Sequence, residues 1–279
     1  MIFTTRLDVH REEDGTTGHE YDGIQEYDNP MPRWWVKMYW MGIAFFLFYV
    51  AAYPALGAYK GFLGWTSHGE HDKDKAEYDA KYGPIFKAYA AKPVEELAQD
   101  AAAMKIAGRL YANNCAACHG ADARGAKGFP NLTDDDWLYG GEPAQLIETL
   151  TNGRNAVVGG LKMPAWGETL GEQGIKEVAA YVLTLSDRKL SEADSKLAEA
   201  GQARFVVCAA CHGPEGKGNQ ALGAPNLTDT IWLYGGSKAT IEETLRKGRN
   251  GAMPAWGESL GKEKVHLLAA YVWSLSHGK

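Results

Sequence analysis

The sequence predicts an all-α chain with one membrane-crossing helix near the N-terminus followed by two copies of one small helical domain. Three observations carry this: an uncharged apolar run from Met38 to Tyr59, a Cys-x-x-Cys-His motif at Cys115–His119 and again at Cys208–His212, and a set of short motifs that recur in one order after each. The expected organisation is a tail over 1–33, a transmembrane helix over 34–60, a linker over 61–100, a first domain over 101–188 and a second over 189–279.

Residues 1–33 carry Asp8, Glu12, Glu13, Asp14, Glu20, Asp22, Glu26 and Asp28 among glycines and threonines, without apolar periodicity, and read as a mobile tail. His10 and His19 lie there as solvated residues. Pro30 and Pro32 disfavour helix until about Arg33. The run that follows is long enough to cross a bilayer at 1.5 Å per residue. Trp34, Trp35, Tyr39 and Trp40 at one end, with Tyr53, Tyr59 and Trp65 at the other, supply interfacial aromatic belts. A cleaved signal peptide is disfavoured, because the preceding segment is long and acid-rich and the apolar run exceeds a usual h-region. The linker is first glycine-rich and then charged; His68 and His71 within it have too few companions for a metal site.

Two cysteines three positions apart, followed at once by histidine, are what covalent haem c attachment requires: the thiols add to the vinyl groups and the imidazole lies under the iron. Cys115, Cys118, Cys208 and Cys211 are thus assigned to two covalent haems c, with His119 and His212 as iron ligands. The four thiols are all the chain has. One all-thiolate zinc site would use them and leave both histidines unexplained. A redox-active Cys-x-x-Cys belongs in a βαβ setting, and no valine- and isoleucine-rich strand pattern surrounds either motif. Haem c is attached on the outer side of the bacterial inner membrane, which puts the tail in the cytoplasm and the residues after Lys60 in the periplasm. Charge flanking the span marks orientation only weakly.

The internal repeat is extensive. Pro130–Asp134 returns as Pro225–Asp229, Trp137–Gly141 as Trp232–Gly236, Glu148–Leu150 as Glu243–Leu245, and Gly153–Asn155 as Gly248–Asn250. Met163–Glu168 returns as Met253–Glu258 and Ala179–Val182 as Ala269–Val272; the first copy carries extra residues at 156–160. Each copy reads as an opening helix, from Asp100 to Asn113 or Ser191 to Val207, and a closing helix, from about Gln173 to Leu185 or Lys262 to Leu275. Between them the sequence reads as loop-rich. Gly108 and Gly201, equivalent in the opening helices, would let the closing helix cross closely, with Tyr181 or Tyr271 over them. Domains this small need the porphyrin as the centre of their core. Met163 and Met253 keep their place despite the change in loop length ahead of the first, which marks them as second iron ligands. Which haem each would serve stays open at this stage.

This pattern of Cys-x-x-Cys-His, a Pro-Asn-Leu turn and a late methionine resembles two class I cytochrome c domains in tandem. The resemblance implies that the carbonyls of Pro130 and Pro225 accept a hydrogen bond from the axial imidazoles, and that Arg154 and Arg249 neutralise haem propionates. With Tyr27–Trp35 opening a single span that ends in Ala52–Ala55, the whole chain is similar to the dihaem subunit of bacterial cbb3-type cytochrome c oxidases. That resemblance implies electron transfer from a soluble or membrane-bound cytochrome c donor towards a monohaem cytochrome c subunit and the haem b and copper subunit that reduces oxygen, with no catalytic centre in this chain. A free-standing membrane-anchored dihaem shuttle of the c4 type is the alternative. A sensor or peroxidase would need an open iron position, which two methionines close. With 35 acidic and 29 basic residues, a formal charge of −6, no nucleic-acid partner is expected, and a basic protein partner suits the charge.

Overall fold

The computed structural model describes residues 15–27, 29, 31–55, 57–155, 162–186 and 188–277. Its two compact units are divided after Lys81. His10 and the acidic residues from Asp8 to Asp14, like the extra residues 156–160, lie outside the described residues.

In the first unit the tail contains a hairpin where no regular element was expected. Strands β1 (Thr16–Tyr21) and β2 (Ile24–Tyr27) pair antiparallel, with Tyr21 opposite Ile24. The turn is Asp22-Gly23, both at positive φ (53° and 81°), the backbone of a tight hairpin that an Asp-Gly pair favours. Helix α1 (Arg33–Ala52) begins at the predicted residue and is apolar on every side, with a mean hydropathy of 1.4. It ends earlier than the expected span. Pro54 cannot continue it, and the chain turns back so that Phe62 and Leu63 donate to the terminal carbonyls of Ala51 and Ala52. Its 20 residues still extend about 30 Å, the depth of a hydrocarbon core.

The linker is largely helical. Helix α2 (Ser67–Ala90) has exposed residues on all sides, and Lys73–Glu77 and Lys75–Asp79 pair one turn apart, at 3.9 and 3.0 Å. Such i,i+4 pairs favour helix even without an apolar stripe.

In the second unit the end of α2 is seated. Phe86 packs with Val94 and Leu97 of α3 (Val94–Leu97) and with Ala103 and Ala107 of α4 (Ala101–Asn114). Asp100 caps α4, accepting from Ala102 and Ala103 N–H at 3.0 and 3.1 Å. Then follow α5 (Ala116–His119), α6 (Pro143–Asn152), α7 (Gly167–Leu185), α8 (Glu192–Arg204), α9 (Val206–His212), α10 (Lys238–Lys247), α11 (Gly257–Leu260) and α12 (Lys262–His277). Helices α6 and α10 fall in stretches expected to be loop. Each buries only two apolar residues one turn apart, Leu146 and Leu150 or Ile241 and Leu245, too few to register as periodicity. Their starts are nevertheless encoded, in Pro143 at the first turn and in the Ser237 cap.

The packing partners cross between repeats. Helix α7, from the first repeat, packs on α8 and α10 of the second; α12, from the second, packs on α4 and α6 of the first. One core joins Ile175, Val178 and Val182 to Phe205, Cys208, Ile241 and Leu245. The other joins Val265, Leu268 and Val272 to Tyr111, Leu146 and Leu150. Consequently Gly201 faces Tyr181 and Gly108 faces Tyr271. Ion pairs secure the exchange: Arg204 Nε meets Glu177 Oε2 at 2.5 Å, and Arg246 binds Glu172 in bidentate fashion at 2.9 and 2.8 Å.

Acidic loops from the two repeats also approach. Burial, with Asp229 and Asp134 nearby, pushes the Asp136 carboxyl up to about 6. Since this pKa exceeds its unfolded value, the stabilisation is full below about pH 4 and is lost as pH rises through about 6. Asp136→Asn should therefore raise the thermal midpoint at pH 7.5 and leave it nearly unchanged at pH 4. Melts of the full chain at the two pH values check this.

Candidate functional site

Each Cys-x-x-Cys-His motif sits at the end of an opening helix. In the first, Cys115 is partly buried at the end of α4 and Cys118 is exposed; in the second, Cys208 is buried in α9 and Cys211 is exposed. Burial, with the paired thiol close by, pushes Cys115 up to about 11 and raises Cys208 as well.

The Pro-Asn-Leu turns hold the two imidazoles. His119 Nδ1 and His212 Nδ1 each donate to a proline carbonyl, of Pro130 and Pro225 respectively, at 3.0 Å. A carbonyl only accepts, so Nδ1 carries a proton, and in a neutral ring the lone pair is then on Nε2. Burial lowers the His212 pKa and keeps that ring neutral. The turns are fixed by their asparagines: Asn131 Oδ1 accepts from Thr133 N at 2.9 Å and Asn226 Oδ1 from Thr228 N at 3.0 Å.

The methionines come from the opposite repeat. Met253 N donates to Arg154 O at 2.8 Å and Arg154 N returns a bond to Met253 O at 2.9 Å. Met163 and Arg249 exchange the same pair of bonds at 3.1 and 3.0 Å. Met253 packs into the core that includes Cys115, and Met163 into the core that includes Cys208. Each pocket thus combines the cysteines, histidine, proline turn and arginine of one repeat with the methionine and closing helix of the other.

The arginines line these pockets beside tyrosines, Arg154 over Tyr139 and Arg249 over Tyr234, both 4.4 Å from the ring centroid. In the second pocket Arg249 Nη2 and Trp232 Nε1 are buried donors without a protein acceptor among the described residues. The sequence had marked the Trp-x-Tyr-Gly-Gly motif only as part of the repeat. The paired return of a tryptophan and a tyrosine ahead of the arginine was the available signal.

The chain matches the family described as the N-terminal domain of cytochrome oxidase-cbb3, FixP, over residues 13–60. It matches cytochrome c oxidase, cbb3-type, subunit III, twice, over 102–182 and 196–272. It is 48% identical to the cbb3-type cytochrome c oxidase subunit CcoP of Rubrivivax gelatinosus, covering 99% of this chain and 88% of the relative. It is 43% identical to the FixP subunit of Azorhizobium caulinodans, covering 95% and 94%, and 40% identical to that of Bradyrhizobium diazoefficiens, covering 95% of each. Two cytochrome c domains behind a single apolar anchor, and likeness through nearly the full length, leave one conclusion: the chain belongs to the CcoP/FixP family, the membrane-anchored electron-transfer subunit III of cbb3-type cytochrome c oxidases.

Proposed function

We propose that this subunit carries two covalently attached haems c, the first on Cys115 and Cys118 between His119 and Met253, the second on Cys208 and Cys211 between His212 and Met163. What supports the reading is, for each haem, an imidazole whose Nδ1 donates to a proline carbonyl and a methionine held by two backbone hydrogen bonds and packed into the core that includes a cysteine of that histidine's own repeat. The orphaned donors on Trp232 and Arg249 suit a porphyrin carboxylate, the anionic group that would satisfy both. When bound, haem iron supplies reversible one-electron exchange.

The protein residues prepare that exchange. Pro130 and Pro225 orient the imidazoles and hold a proton on Nδ1, which would leave Nε2 of each neutral ring to the iron. Met253 and Met163 would each give the iron a second protein ligand in place of substrate or water. We read the direction of flow as from a cytochrome c donor, through this chain, to the monohaem cytochrome c subunit and the haem b and copper subunit. The N-terminal tail is read as cytoplasmic and the second unit as periplasmic, across a bacterial inner membrane. The orientation is supported by the chemistry of haem attachment, and the direction of flow by family membership.

Replacing Cys208 and Cys211 together by serine should halve the covalent haem, measured as pyridine haemochrome per chain after denaturation and extraction. Two haems remaining on the variant would overturn the assignment.

A further inference from the structure

The two pockets are built from equivalent residues and differ in how their arginines are paired. In both, the guanidinium lies over a tyrosine, and its Nε donates to the threonine of the preceding helix at 2.9 Å, Arg154 to Thr149 and Arg249 to Thr244. In the first pocket Arg154 Nη2 also reaches Thr149 at 2.7 Å, and Nη1 reaches the Glu148 carboxylate at 3.2 Å. In the second, Arg249 Nη2 is buried without a protein acceptor among the described residues. The equivalent carboxylate, Glu243, is turned away to Lys247 at 3.2 Å.

The sequence supplies the reason. Lys247 lies one helical turn beyond Glu243, the spacing at which a glutamate captures a lysine. In the first repeat that place is taken by Asn152, which has no charge to offer, and Glu148 binds the arginine instead. A second difference has the same sign. Arg188, just after the exchanged helix α7, lies over the Trp232 ring at 5.5 Å and donates to the Gly236 carbonyl. Its equivalent in the other repeat is Gly278. Among the described residues, Arg154 therefore has a carboxylate hydrogen-bonded to it, and Arg249 does not.

We propose that this difference orders the two haem potentials: Glu148 sets the haem on Cys115 at the lower midpoint potential, and Lys247, by keeping Glu243 off Arg249, leaves the haem on Cys208 at the higher one. This rests on the reading of both pockets as haem sites. Oxidised haem carries one more positive charge than reduced haem, so a protein carboxylate beside the pocket arginine favours the oxidised form and a guanidinium without one favours the reduced form. Electrons then collect at equilibrium in the second pocket. Because the Glu148 side chain is 58% exposed, its effect is partly screened and diminishes with added salt.

The test is a potentiometric titration of the full chain in detergent, with both haems present and counted on the same sample. Glu148→Gln should raise the lower component and leave the upper one in place. Lys247→Gln should lower the upper component. Glu243→Gln should have little effect alone and should reverse most of the fall when added to Lys247→Gln, a coupling that simple loss of surface charge would not produce. A Glu148→Gln titration with neither component moved, or with the upper one moved, would overturn the ordering, as would additive effects of Glu243→Gln and Lys247→Gln. A count below two c-type haems per chain in the parent protein would instead overturn the haem reading, and the ordering with it.

Discussion

Met253→His lowers the midpoint potential of the haem held by Cys115 and Cys118, in the other sequence repeat, and leaves the haem on Cys208 unchanged. The expected fall is on the order of a few tenths of a volt, part of the roughly 0.8 V over which axial ligands tune haem iron. The prediction follows from the exchange, because the Met253 backbone is bonded to Arg154 and its side chain packs in the core of Cys115. Met163→His should act on the other haem. Both shifts are read by spectroelectrochemistry, with the affected haem identified in the background lacking Cys208 and Cys211. If Met253→His moved the haem on Cys208, each methionine would serve its own repeat and the ligand assignment would fail.

Gly201→Val should destabilise the second unit by about 3 kcal/mol or more, since overpacking a core typically costs ~1–3 kcal/mol and the obstacle here is backbone. A Cβ at Gly201 would lie 2.1 Å from the Glu177 carbonyl oxygen and 2.9 Å from Tyr181 Cβ, so α7 and α8 must separate to admit it. Gly108 gives the opposite expectation. Its added Cβ would meet the Tyr271 ring at 3.5 Å, an ordinary contact, and Gly108→Ala should be neutral or stabilising by up to ~1 kcal/mol through helix propensity. Chemical unfolding of the full chain followed by circular dichroism measures both. A Gly201→Val protein as stable as its parent would mean that this crossing does not hold the exchanged helices together.

Equivalence in sequence does not carry over into equivalence in packing at these two glycines, and the same holds for the whole repeat. The Cys-x-x-Cys-His motifs, the proline turns, the late methionines and the start of α1 at Arg33 were legible in the sequence, because each is a local arrangement in which neighbouring residues do the work. The hairpin turn at Asp22-Gly23 and the caps of α6 and α10 were equally local, and were passed over because short elements offer too few apolar residues to show a period.

Some properties have no local signature. Two repeats with near-identical apolar faces can close each on itself or each on the other, and both closures bury the same residue types. Only the tertiary structure decided that α7 lies on α8 and α12 on α4, so that Met163 packs into the core of Cys208 and Met253 into the core of Cys115. It likewise decided which carboxylate meets which arginine. Glu148 and Glu243 are the same residue in the repeat, and the substitution of Asn152 for Lys247 one turn away sends their charges to different partners. The sequence by itself determined what each pocket is made of; the folding of one repeat across the other determined whose residues meet, because contact between distant segments is settled by packing and charge in three dimensions.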